Sequence, residues 1–212
     1  MRNASDVVKE SIPPGGDDSV GDWLSYLCKP RPLVNKVVAI DHNAKDFDSQ
    51  FILNRAFLMN RKPELILNGL KIVSMITETM LFIDSASYLP TPLRKLLEAL
   101  GFSVTTSSYP HYFNNKANLD YVGPFPDISY FGANEMSQSE VREFMTWYES
   151  QKNKVFDNRR NLEQYCQDDF TVLRQACQIF RREFIKMGNI EGFLEAFTIA
   201  SACNKVLRTR FL

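Results

Sequence analysis

Apolar positions gather in short runs in the first half of this chain and in long periodic stretches in the second. "VVAI", residues 37–40, is a compact, largely β-branched run and predicts a buried strand. Behind it, from Asp48, Phe51, Ile52, Ala56 and Met59 recur at helical spacing. "ELIL", "LKIVSMI" and "TMLFID" predict three successive strands, and the "NG" between the first two is a hairpin signal. "VGDWLSYL" predicts a short helix stopped by "KPRP", and "TPLRKLLEALG" a helix closed by its glycine. Residues 102–136 are rich in aromatics, Pro and Asn without a period, which predicts a long ordered loop of the kind that carries function. "SQSEVREFMTWYESQKN" opens with a capping-box pattern, Ser137 to Glu140, and a second helix is expected over about 158–186. Strand, helix, three strands, then helices: the order predicts a mixed α/β sheet with helices packed on it.

Composition narrows the picture only a little. The 212 residues are enough for one sizeable domain or two small ones, and 44% of them are hydrophobic, as in ordinary globular chains. Lys plus Arg equals Asp plus Glu at 25 each, so global charge announces no nucleic-acid partner, although a local groove can still be basic. No apolar run approaches the roughly 18 residues of a membrane span, and the first residues lack the apolar core of a signal peptide. The four cysteines (Cys28, Cys166, Cys177 and Cys203) show no C-x-x-C spacing, which predicts reduced thiols in an intracellular protein. Nucleus, virion and organelle are equally open.

Two polar constellations interrupt the apolar pattern. The stretch "VVAIDHNAKDFDSQFIL" crowds one His, one Asn and three Asp residues between a strand and a helix that must both be buried. Asp48 suits an N-cap there, with Phe47 and Ile52 as a hydrophobic staple. It equally suits chemistry, since α/β sheets place reacting groups where a strand ends. On the late helix, Leu162, Tyr165, Asp169, Leu173, Ala176, Phe180 and Phe184 share one face, and Asp169 is its one charged member. A buried carboxylate must be paired or must hold a metal. An Arg or Lys partner would satisfy the first condition. Tyr165 stands one turn before it, within reach, and the neighbouring Asp168 lies off the stripe. Taken together, Asn-x(4)-Asp at a strand-to-helix corner and a helical Tyr-x(3)-Asp downstream suit metal-dependent phosphodiester hydrolysis.

"HNAKDFDSQFIL" resembles the second exonuclease motif of family B DNA polymerases, and "YCQDDFTVL" resembles the third. Between them "GLKIVSM", "FIDSASYLPTPLRKL", "YPHYFNN", "YVGPFPD" and "FMTWYESQKNKVFD" look like the protein-primed branch, which includes viral, organellar-plasmid and Polinton (Maverick) transposon polymerases. The resemblance is collinear from about Asp22 onward. It implies a ribonuclease-H-like fold, a mixed sheet flanked by helices, whose first strand or strands, carrying an Asp-x-Glu motif, are missing. It also implies three parts: an irregular lead-in over 1–20, an exonuclease-like domain over 21–186, and a passage over 187–212 towards an absent palm domain. The implied function is a 3′–5′ exonuclease region of a DNA-directed DNA polymerase, present as a fragment and serving replication and proofreading. The alternatives are a catalytically dead single-stranded-DNA-binding module or a transposon remnant.

Residue by residue, the resemblance makes Asp48 and Asp169 metal-holding carboxylates, about 4 to 8 Å apart at a two-metal centre, and Tyr165 the group that orients the attacking water. Asn43 and Phe47 would contact the unpaired primer end, the aromatic ring by stacking. "DSASYL" places single-strand contacts at Asp84, Ser85 and Leu89, with Ala86 where the family has Leu. His111 and Phe113 would form part of the exonuclease surface, though a lone His can equally be structural. Lys45, Lys71 and Lys95 are candidates for a basic wall. The implied cofactor is Mg²⁺ or Mn²⁺, weakly held. The implied partners are a single-stranded DNA 3′ end and, in the intact family, a terminal protein primer and dNTPs, with no membrane. Two departures stand out: no Asp-x-Glu occurs in the 212 residues, and "TTSSYPH" lacks the family's lysine.

Overall fold

The computed structural model describes residues 18–101 and 108–211. The elements in chain order are α1 (Ser19–Leu27), β1 (Val37–Asp41), α2 (Asp48–Leu58), β2 (Glu64–Asn68), β3 (Lys71–Ile76), β4 (Met80–Asp84), α3 (Leu93–Ala99), β5 (Val122–Gly123), α4 (Gln138–Gln151), β6 (Phe156–Asp157), α5 (Asn158–Gly188), α6 (Gly192–Glu195) and α7 (Ile199–Phe211). They divide into two compact units, one of Met1–Pro90 with Ile179–Leu212 and one of Thr91–Gln178. Most of the irregular lead-in expected over 1–20 lies outside the described residues, as does the first part of the expected loop, 102–107.

The first unit is built on a four-stranded sheet in the order β1-β4-β3-β2. β2, β3 and β4 form an antiparallel meander, and β1 joins it parallel to β4. The β2–β3 turn closes with Asn68 opposite Lys71, so the loop residues are Gly69 and Leu70 rather than the Asn-Gly pair. Gly69 has φ +61° and Leu70 is not among the positive-φ residues, the pattern of a turn that needs Gly at its first loop position. All five residues of β4 are buried, which an inner strand covered on both faces requires. Ala39, Met75, Met80 and Phe82 join Leu24, Leu27, Ile52 and Ala56 of α1 and α2 in one core. Trp23 meets Phe82 edge-on at 6.3 Å. Tyr88 adds a second nucleus: its ring lies 5.5 Å from Phe180 and 5.0 Å from Phe193, and its hydroxyl donates to the Ala196 carbonyl at 2.6 Å.

The second unit holds together through aromatic rings. Phe131, Phe144 and Phe156 are buried, and Phe125 lies within 6.0 Å of Phe131, Trp147, Tyr148 and Phe156. The aperiodic segment is thus ordered by side-chain packing over single turns of 3-10 helix at His111–Phe113, Lys116–Asn118, Ile128–Phe131 and Ala133–Glu135. The capping box of α4 is formed as expected, Ser137 and Glu140 each bonding the other's backbone N–H. Asn158, fully buried at the start of α5, accepts from the Tyr109 hydroxyl at 2.7 Å and donates to the Asn118 carbonyl at 2.9 Å. It ties two stretches of loop to the helix. The pair β5–β6, two residues each, was not foreseen; nothing in so short a stretch carries a period.

Candidate functional site: two groups of predicted residues

Asn43, Phe47 and Asp48 fall in the first unit, and His111, Phe113, Tyr165 and Asp169 in the second. The structure brings the predicted residues together as these two groups.

The first group sits on the loop leaving β1. Asp41 ends the strand opposite Asp84 of β4 in parallel register. Asn43 follows in the left-handed region, φ +64°, which Asn tolerates better than most residues because its short polar side chain bonds locally. Nearby, the Lys71 ammonium bonds the Asp46 carboxyl and holds it below its ordinary value. A turn of 3-10 helix, Ala44–Asp46, leads to α2. Asp48 is not the N-cap: that position belongs to Phe47, whose side chain makes no cap bond, and Asp48 is the first helical residue. The staple differs as well. The Phe47 ring packs edge-on against Phe51 at 4.8 Å, while Ile52 is in the core. Phe47 and Phe51 are 66% and 52% exposed, and Asn43 and Asp48 are exposed beside them. Asp48 on the first turn is favourably placed for an anion, facing unpaired N–H groups.

Behind this face lies a buried polar corner. Ser85, fully buried, donates its hydroxyl proton to the Asp41 carbonyl at 2.7 Å. That fixes the direction of its 2.9 Å contact with His42: Nδ1 of the ring must be the donor. Leu89 is half-buried, with its N–H on the Ser85 carbonyl at 2.8 Å. Burial raises the pKa of the Asp41 carboxyl, the His42 N–H bond opposes that, and the nearby charges of Asp48 and Asp84 raise it further. Three carboxylates are therefore close enough to feel one another at the end of β1. His42 and Phe51 are the additions to the predicted set. Phe51 was placed on the core face by its spacing, but it stands half-exposed against Phe47.

In the second unit, Tyr165 and Asp169 line a cavity of about 420 Å³ together with Arg94, Tyr109, His111 and Met136. Tyr109 stacks on Tyr165 at 5.6 Å and His111 meets it edge-on at 5.2 Å. Burial, and after it the nearby Asp169 charge, push the Tyr165 hydroxyl up to about 12. Burial likewise raises the Asp169 carboxyl, with the Tyr165 bond and the His111 ring acting the other way. Among the described residues no Lys or Arg forms an ion pair with Asp169, so its companion is the phenol. Phe113 does not line this cavity. Its ring packs at 5.0 Å from Tyr121 and 5.2 Å from Tyr130.

The three candidate lysines all have carboxylate neighbours: Lys71 pairs with Asp46, Lys95 with Glu140 at 3.2 Å, and the Lys45 ammonium lies 3.8 Å from Asp84. Any basic wall they form is locally neutralised. Among the described residues no three His, Cys, Asp or Glu side chains come together as a metal cage would need. Mg²⁺ is commonly held by one or two carboxylates with substrate phosphates completing its shell, an arrangement that needs no such cage.

The sequence model for DNA polymerase type B, organellar and viral, matches residues 34–212. The chain belongs to that family. Relatives named "Probable DNA polymerase" match it at 30% identity over 135 residues in Agaricus bitorquis, 27% over 182 in Neurospora intermedia and 26% over 183 in Ascobolus immersus. These matches cover 58%, 81% and 81% of this chain but only 16%, 19% and 15% of the relatives. The chain thus spans less than a fifth of the length of the family members it matches. No solved structure matches it. No helix among the described residues is long and apolar enough to cross a membrane.

Proposed function

We propose that this type B polymerase chain carries the 3′–5′ exonuclease region of the protein-primed branch, and that it receives the unpaired 3′ end of single-stranded DNA. The observation that carries the reading is the Tyr165–Asp169 pair: a phenol and a carboxylate one helical turn apart, both lining an open cavity that also contains His111 and Arg94. Such a pair can hold a water or a phosphate oxygen through the phenol while the carboxylate stays available. In the first unit, Asn43, Phe47 and Phe51 offer an amide and two exposed rings, the groups that take an unpaired nucleotide by hydrogen bonding and stacking. The mixed sheet with its parallel β1–β4 pair supports a ribonuclease-H-like fold. Mg²⁺ or Mn²⁺ enters the proposal as a weakly held ion accompanying substrate phosphate, with Asp48 and Asp169 as the protein carboxylates that would bind it and polarisation of the phosphate as its contribution. The terminal protein primer and dNTPs belong to the proposal only as partners of the intact polymerase.

A second reading, binding of single strands without hydrolysis, is favoured by the lack of a three-ligand metal group among the described residues. One experiment separates the two and tests both. A 3′-labelled single-stranded oligonucleotide is followed by anisotropy for binding and by gel for loss of 3′ nucleotides, with Mn²⁺ present. Both readings require preference for a single-stranded 3′ end over blunt duplex and loss of affinity in Phe47→Ala. Only the first requires that a longer polypeptide including an Asp-x-Glu strand releases 3′ nucleotides in a way that Asp169→Ala abolishes. Equal affinity for blunt duplex would sink both.

A further inference from the structure

Asp84 was expected to touch single-stranded DNA. Its surroundings assign it a different part. The side chain is fully buried at the end of β4, where an ionised carboxylate loses its hydration and needs hydrogen bonds to replace it. Those bonds come from backbone. The N–H groups of Asn43 and Ala86 donate to Oδ1 at 2.9 and 2.8 Å, and the N–H of Lys45 donates to Oδ2 at 3.1 Å. Two of the three donors lie on the loop that leaves β1, about forty residues away in sequence. The parallel register that sets Asp41 opposite Asp84 brings the carboxylate beside that loop. Ser85 adds a second tie through the Asp41 carbonyl and the His42 ring.

The held loop is also the one with the unusual backbone, Asn43 at φ +64°, and it delivers the exposed Asn43 and Phe47. A loop in a sparsely populated conformation persists only where its surroundings determine it. We propose that Asp84, seconded by Ser85, is the positioning residue of the DNA-end site: it fixes residues 42–47 so that Asn43 and Phe47 meet the 3′-terminal nucleotide, while touching no DNA itself. This inference rests on the reading above that the chain binds a single-stranded 3′ end.

Asp84→Asn keeps the shape but turns an NH₂ group towards backbone N–H donors, so at least one bond is lost. Two measurements are made on the 212-residue chain: amide hydrogen exchange, and anisotropy of a 3′-labelled single-stranded oligonucleotide. Exchange at Asn43 and Lys45 should quicken about tenfold while the amides of β3 and β4 keep their protection, a signature that global destabilisation would not give. Affinity should fall about tenfold, and this loss should be clearly smaller in an Asn43→Ala background, because the part of it that passes through the Asn43 contact is already gone. Ser85→Ala, which spares the Asp84 bonds, should show the same pattern in smaller measure and decides the matter if Asp84→Asn does not fold. Unchanged exchange at Asn43 and Lys45, or a loss of affinity just as large in the Asn43→Ala background, overturns the role of Asp84. Failure of the wild-type chain to bind the 3′ end overturns the functional reading itself, and the positioning role with it.

Discussion

Tyr165 and Asp169 stand one turn apart on α5 and line one cavity, and burial raises the pKa of both groups. A core stripe of Leu, Ala and Phe would place neither there. Both groups have lost part of their hydration, and each feels the other.

The sign of that shift gives a stability prediction. A carboxyl whose folded pKa lies above the ordinary 3.8 binds protons more tightly in the folded chain, so its own contribution to stability is greatest at acid pH and is lost as pH rises through the raised value. Asp169→Asn removes the charge while keeping a bonding partner for Tyr165. Thermal unfolding should show the variant melting higher than wild type at pH 7, with the difference vanishing below about pH 4. A variant that melts lower at pH 7 would mean the ionised form is stabilised by something other than Tyr165 and His111.

Phe47 and Phe51 invite the opposite test. Both rings are largely exposed, so replacing either by Ala should change unfolding free energy by no more than about 0.5 kcal/mol. Stacking of a base on an aromatic ring is worth about 1 to 3 kcal/mol, so single-strand affinity should fall roughly 5- to 150-fold. Titration by anisotropy beside a melting curve checks both halves. Lost stability with affinity intact would return the pair to a purely structural role.

The lysines bear on salt. Binding of a single strand should weaken as salt rises, with a slope of about −0.7 per phosphate neutralised. Lys71 and Lys95 already face Asp46 and Glu140, so Lys71→Ala and Lys95→Ala should each move the slope by less than that amount. A larger change on either would show that the lysine leaves its carboxylate for a phosphate when DNA binds.

What the sequence made legible follows from range. The meander, the capping box at Ser137 and the start of α2 near Asp48 depend on residues within a turn or two, and they stand where local pattern put them. The same local logic failed at the cap of α2. The loop ahead of that helix is satisfied by Asp84, whose approach is created by strand pairing and has no signature in the stretch 41–48. The aromatic segment is a related case. Its rings pack irregularly in three dimensions, so no period exists to be read, and only the fold shows Phe113 packed among Tyr121, Tyr130 and Phe156. Asp169 could be singled out because one carboxylate on an apolar stripe is visible without knowing its partner.

The last prediction counts ligands. The resemblance calls for four metal carboxylates, two from an Asp-x-Glu motif that does not occur in these 212 residues. Asp48 and Asp169 remain, and a divalent ion leaning on two carboxylates depends on substrate phosphate to stay in place. The 212-residue polypeptide should therefore release little or no 3′ nucleotide in Mg²⁺. A longer polypeptide of this family that includes an Asp-x-Glu strand should digest single strands in a way that Asp169→Ala abolishes. Brisk, Asp169-dependent digestion by the 212 residues alone would mean that another carboxylate joins the site. Asp84 is spoken for by three backbone N–H groups. Asp41 is the one to replace next, since its carboxyl is raised first by burial and then by the charges of Asp48 and Asp84, and a bound cation would relieve that crowding.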